Sequence, residues 1–350
     1  MRTNGKGKRD LYGLFMRAGV IVEVMALICL AGAGITSGRK EGSKEAKMAN
    51  AGGIWEVLEK HQQGEIVESA SGDYIKWVDF TVPAEAMDKA YQYDIDTYEE
   101  EIHVNWIELL AYAAARQGGD FGKAALKNID ECAARLRDGE PMEKLTEKLK
   151  YYPYYLEAYT AVLGGFVGEY EMDGEKRYGL KAFSPIAADF PYTDYDDFGA
   201  SRSYGYARPH LGHDMMGQIG TPIIAAESGY VEALGWNQYG GWRIGIRSFD
   251  KKRYYYYAHL RQNYPYAENL KEGDIVSAGD VIGYMGHTGY SAKENVNNIE
   301  TVHLHFGLGL VFDESQKESN NEIWINCYEL TKFLSRNRSK VYKVEGTKEW

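Results

Sequence analysis

The sequence predicts an α+β multidomain chain: an N-terminal membrane segment, an all-α middle domain and a β-rich, sandwich- or barrel-like C-terminal domain. Three observations predict it. A basic stretch runs into an apolar run from Ala18 to Ile35. Residues 83–170 carry apolar side chains at three- and four-residue spacing, the period of amphipathic helices. Residues 199–315 divide into short strand-like segments separated by glycine turns.

A length of 350 residues accommodates two domains and an anchor, and 44% hydrophobic residues supply their cores. The net charge of −11 argues against nucleic acid as a partner, since phosphate binding needs a basic face. The 29 tyrosines favour hydrogen-bonding aromatic surfaces.

Residues 1–17 read as a basic cytoplasmic segment, with Arg2, Lys6, Lys8, Arg9 and Arg17 opposed only by Asp10. Residues 18–36 read as a transmembrane anchor or signal peptide, with one tolerated charge at Glu23 and a candidate cleavage site at Ala31–Ala33. Either outcome keeps the basic end inside and exports the rest, as a single-pass membrane protein or a secreted one. Cys29 is preceded by "MALI", without the small residue that a lipoprotein signal carries. Residues 37–82 read as a stalk or linker, polar and charged at their start.

The helical domain, 83–170, contains "AEAMDKAYQYDI", "NWIELLAYAAAR", "KAALKNIDECAARL" and "MEKLTEKL", broken by "QGGD" and "RDGEP", and ends on "YYPYYLEAYTAVLGG". The stretch "WIELLAYAAARQGGDF" resembles a lysozyme-like transglycosylase pattern. Gln117 stands about where the catalytic glutamate would be, so a packing module, or one docking an envelope protein, is the better expectation. Residues 171–198 read as a connection and 316–350 as a C-terminal extension with a mixed apolar segment. Cys132 and Cys327 fall in different regions and read as free thiols.

Six of the eight histidines lie in 199–315. In "VHLHFGLGL", Val302, Leu304, Phe306, Leu308 and Leu310 alternate with His303, His305, Gly307 and Gly309. Both imidazoles therefore share one strand face, with glycines leaving room beside them. In "RPHLGHDM", His210 and Asp214 sit on a predicted loop; with His305 they offer two nitrogens and one oxygen, a set that suits Zn²⁺ with an open fourth position. In "YYYYAHL", alternation groups His259 with Tyr255 and Tyr257. His303 and His259 are then candidates for proton transfer.

These residues resemble the lysostaphin/LytM-type zinc metallopeptidases, which cut peptide bonds in bacterial peptidoglycan. The resemblance covers about 199–310 and rests on "HLGHD", "GTPIIAAESGYV", "YYAHL", "LKEGDIVSAGDVIGYMGHTG" and "HLHF" in the family's order. It implies a duplicated hybrid motif fold, a zinc ion held by His210, Asp214 and His305, and His259 and His303 as catalytic histidines. It also implies endopeptidase activity on the stem peptide or cross-bridge. The sequence departs from the family at "YSAKENVNNIETV", which intervenes before His303 where a short link is usual. His213 and His287 match no essential position of the family and read as surface or groove histidines.

A catalytically silent wall-binding or complex-docking scaffold is the alternative; its expected mark is a lost ligand. A third reading, from the resemblance of "EGDIVSAGDVIGYMG" to carrier-domain hairpins, needs a lysine at a tip that here is Ser277-Ala278-Gly279.

Overall fold

The computed structural model describes residues 75–172, 174–204, 207–316 and 322–350. The segments 1–17 and 18–36, and the predicted stalk up to residue 74, lie outside them. Among the described residues no helix is long and apolar enough to cross a membrane.

Helices come first: α1 (Ala84–Thr97), α2 (Trp106–Gln117), α3 (Lys123–Arg137), the short α4 (Met142–Thr146) and α5 (Tyr152–Leu163). Their ends follow the sequence. Asn105 caps α2 by accepting from the backbone N–H of Ile107 and Glu108, and Gly118 closes it in the left-handed conformation at φ 64°. Pro153 opens α5, where its missing N–H costs nothing.

The hairpin β1 (Val167–Met172) and β2 (Glu175–Leu180) follows. Its Asp-Gly turn sequence at 173–174 is a strong hairpin signal, and it corrects the reading of 171–198 as a bare connection. That region also supplies β3 (Thr193–Asp194), which pairs with β6. The small ladder β4 (Ser201–Arg202) and β5 (Arg208–Pro209) leads to the main sheet.

That sheet takes its strands from β6 (His213–Met216), β8 (Gly229–Asn237), β9 (Gly241–Ser248), β10 (Arg253–Ala258), β11 (Ile275–Val276), β13 (His303–Leu310) and β14 (Ile323–Ile325), besides β3. Its order is β11-β8-β9-β10-β13-β6-β3, with β14 beside β13. One face is apolar: Ile244, Ile246, Tyr255, Tyr257, Leu304, Phe306 and Leu308 are fully buried. The pair β7 (Pro222–Ile224) and β12 (Val281–Tyr284) belongs to this core layer, and the nearby Ala226 N–H donates to the Tyr257 hydroxyl at 2.9 Å. The opposite face carries His303 and His305. Antiparallel pairing with one buried and one open face is what the alternating sequence requires.

Two predicted boundaries shift. Residues 75–82, placed in the stalk, enter the core: Val78, Phe80 and Val82 are buried, and Phe80 packs edge-on against Tyr159 at 5.5 Å. The C-terminal extension is integral. Ile323–Ile325 pair with Leu308–Leu310, and helix α6 (Tyr328–Leu334) packs on α1, with Phe333 stacked on Trp106 at 5.6 Å. One continuous apolar cluster therefore joins helices and sheet. Arg253 clamps the seam from beneath: buried, it binds Glu227 through Nε and Nη2 at 2.7 and 3.0 Å, and donates from Nη1 to the Ala161 carbonyl at 2.9 Å.

Candidate metal centre

Register assembles the site. Asp214 on β6 lies directly opposite His305 on β13, and His305 lies opposite Ala258 on β10. His210, in the turn between β5 and β6, folds over this row. Gly212 permits the fold: a β-carbon there would come within 2.6 Å of the His305 ring and 2.9 Å of the Phe306 carbonyl.

Three donor atoms converge. His210 Nε2 is 2.9 Å from Asp214 Oδ1, His305 Nδ1 is 3.0 Å from the same oxygen, and the two nitrogens are 2.8 Å apart. His210 Nδ1 lies 3.1 Å from the Asp197 carbonyl, which only accepts, so Nδ1 carries a ring proton and Nε2 is the atom turned toward Asp214 and His305. Three lone-pair donors aimed at one point need a proton or a cation between them. Burial disfavours charge on His210, but hydrogen bonds to Asp197 and Asp214 outweigh it and push its pKa up to about 9. Burial, with the charge on His210, brings His305 down to about 4 although Asp214 opposes it. Burial would raise Asp214, yet the bonds from His210 and His305 hold it well below the carboxylate range. The trio thus retains one proton where a cation fits, and its donor types are those of zinc sites.

Two groups that sequence reading missed hold the trio. Arg202 Nη2 donates to Asp214 Oδ2 at 2.9 Å and to Asp197 Oδ2 at 2.8 Å, and Asp197 in turn orients His210. Neither has a spacing signal, because both arrive from loops that only the fold brings near.

His259 and His303 stand beside the trio, with ring centroids 4.7 Å apart. His259 Nδ1 donates to the Thr288 carbonyl at 2.9 Å and His303 Nδ1 to the Thr301 carbonyl at 2.9 Å, which leaves Nε2 of each ring free of that bond. His303 Nε2 is 3.7 Å from Asp214 Oδ1. Burial, reinforced by the neighbouring histidines, holds His259 well below the usual imidazole range. The alternation reading of His259 is corrected. Tyr255 and Tyr257 point into the core, whereas His259, at φ 62°, ends the strand pattern and turns into the groove.

The other histidines also differ from expectation. His213 is buried on the core side, opposite Phe306, and meets Asp194 Oδ2 at 3.0 Å. His287 is half-buried and holds the Ile299 carbonyl at 2.7 Å, anchoring the insertion before His303. That insertion forms groove wall: Asn298, Ile299, Glu300 and Thr301 line it, while Asn295 accepts from Trp242 Nε1 at 2.9 Å. The room beside Gly307 is taken by Trp324 of β14, whose ring a β-carbon would meet at 2.9 Å. The groove encloses about 1520 Å³ and runs along the sheet face from the trio.

A β-sheet presenting such a His–Asp–His trio beside two further imidazoles in an open groove is a candidate metal centre open to a ligand. Residues 208–318 match the model of Peptidase family M23. The chain is 34% identical over 163 residues to the L-Ala--D-Glu endopeptidase of Bacillus subtilis (strain 168), covering 46% of this chain and 48% of that protein. It is 40% identical over 98 residues to lysostaphin of Staphylococcus simulans, covering 28% and 17% respectively. The chain thus spans about half, or less, of the length of these curated relatives. A crystal structure of a Ruminococcus gnavus ATCC 29149 protein, named after the glycyl-glycine endopeptidase lytM, superposes with a TM-score of 0.52 at 22% identity. The match covers 82% of this chain and 98% of that one, a likeness of fold.

Proposed function

We propose that this chain is a zinc-dependent endopeptidase that hydrolyses peptide bonds of bacterial peptidoglycan outside the cytoplasmic membrane. The observation that carries the reading is the convergence of His210 Nε2, Asp214 Oδ1 and His305 Nδ1 within 2.8–3.0 Å of one another, beside two more histidine rings. His210, Asp214 and His305 hold the ion; when bound, zinc supplies Lewis acidity that polarises the scissile carbonyl and makes water nucleophilic at neutral pH.

The chain's own groups do the rest. His259, kept neutral by burial and fixed by Thr288, is placed to take a proton from the attacking water. His303, across the same space, would act in its protonated form: its Nε2–H would stabilise the developing oxyanion and pass its proton to the leaving amine, balanced by the proton that His259 takes from water. Arg202 neutralises the far oxygen of Asp214 and fixes its direction. The relatives named for cutting L-Ala–D-Glu bonds and for lysostaphin activity support a wall peptide as substrate. Residues 18–36 would deliver the domain to it, as an anchor or a cleaved signal.

Purified protein incubated with bacterial sacculi releases new peptide termini, detected by mass spectrometry, only without chelator. His305→Ala abolishes both zinc binding and release. Stoichiometric zinc with no cleavage of any wall preparation would overturn the reading in favour of a binding scaffold.

A further inference from the structure

The groove continues past the trio, over β10 and onto β9 and β8. Pairing sets one row across its floor: Asp214 opposite His305, His305 opposite Ala258 and, one step beyond the Tyr257–Ile244 pair, Arg243, itself opposite Gly235. Alternation places Arg243 on the face shared with Arg247 on β9 and with Tyr254 and Tyr256 on β10, and all four line the groove. Between the two arginines, Gly245 leaves space that the Tyr254 hydroxyl occupies, since a β-carbon there would collide with it.

Arg243 differs from the other guanidiniums in this lining whose carboxylates are known. Arg247 is held by Glu232 at 2.6 and 2.9 Å, and Arg202 by Asp197 and Asp214 at 2.8 and 2.9 Å. Arg243 is 7% exposed, its Nε is buried without a hydrogen bond, and no carboxylate of the described residues forms an ion pair with it. Of the nearby acids, Glu232 is committed to Arg247, and Glu272 accepts from the Leu234 N–H at 2.8 Å. A buried guanidinium without a counter-charge is costly to keep, and its planar fork suits a carboxylate bidentately.

We propose that Arg243 is a carboxylate-binding subsite of the groove, taking a carboxylate of the substrate peptide. The inference rests on the peptidase reading above and deepens it. Two strand spacings, about 10 Å, separate its backbone from that of His305, so the recognised carboxylate lies within about three extended residues of the scissile bond. Two sources share this chemistry: a glutamyl carboxylate within the peptide and the carboxylate at its C-terminus.

The test uses the full-length zinc-loaded chain and three synthetic stem peptides. One has both carboxylates free, one carries a carboxamide at the glutamyl position, and one carries it at the C-terminus. Arg243→Met lowers kcat/KM on the free peptide by about 10- to 100-fold, chiefly through KM, with zinc content unchanged. It costs nothing further on the carboxamide that already lacks the recognised group, which identifies the source. Equal loss on all three peptides, or no loss on any, overturns the subsite. Should Arg243→Met fail to fold, Arg243→Lys is read by the same comparison. If the wild-type chain cuts none of the peptides, the peptidase reading fails by itself, and peptide binding, followed by tryptophan fluorescence, decides the subsite. Affinity lost with one carboxamide and with the variant sustains it, and affinity indifferent to both overturns it.

Discussion

Arg253 and Glu227 form a two-point ion pair, 2.7 and 3.0 Å, buried where the helices meet the main sheet. Tyr255 donates to the same carboxylate at 2.7 Å, and Gly165 passes so close that a β-carbon there would overlap it. Removing the carboxylate alone strands a charge in the interior. Glu227→Ala is therefore expected to destabilise the protein by about 3–5 kcal/mol. Urea denaturation checks it; a change within about 0.5 kcal/mol would show that the pair is not holding the seam.

His303 lies beside the ligands without belonging to the converging trio. His303→Ala should leave zinc stoichiometry intact and lower kcat by about 10²- to 10⁴-fold. Metal analysis and steady-state kinetics on the same sample test both halves, and loss of zinc together with activity would make His303 a ligand or a support of one.

Zinc binding should expel a proton at pH 7. His210, pushed up to about 9 in the ion-free protein, is mostly protonated there and must be neutral to ligate. Apparent affinity then rises as pH climbs toward 9 and falls as pH drops below neutrality. Calorimetry in buffers of different ionisation enthalpy counts the proton; a count near zero at pH 7 would contradict the assignment.

Gly212→Ala tests the close approach under His210. Its new methyl must displace the His305 ring or the backbone at Phe306, so zinc affinity should fall at least about tenfold while the circular dichroism spectrum stays near wild type. Unchanged affinity would mean that the turn relaxes freely.

Cys132 and Cys327 are both buried, and burial pushes each thiol up to about 12. Neither should react with iodoacetamide at pH 8 in the native protein, and both should react in denaturant. Mass spectrometry of the alkylated chain reads the difference, and native labelling of Cys132 would place it at an open surface.

The parts of this molecule legible in the sequence are those governed by local period. Alternation in 302–310 gave both the buried face and the shared direction of His303 and His305, because strand geometry fixes it. His259 shows where period fails: one positive φ turns its ring from the core side into the groove. Arg202 and Asp197 were invisible because their partnership with Asp214 and His210 depends on loops meeting in space. Gly307 and Gly309 predict open room beside the imidazoles, but Trp324, from a segment read as an extension, lies over Gly307. Length and composition do not reveal which distant strand will cover a glycine.

The position of β14 and α6 sets the order in which this chain can be completed. The Ala84 N–H is held by Glu329 across 245 positions, and Leu308–Leu310 wait for Ile323–Ile325 to cover their edge. A chain emerging from the ribosome carries every candidate ligand long before it can finish its core, and such long-range closure is intrinsically slow. Until Tyr328–Leu334 arrive, Trp106 lacks its stacking partner Phe333. The late segment thus works as a closing stitch, completing the shared apolar core only when the last strand and helix are in place.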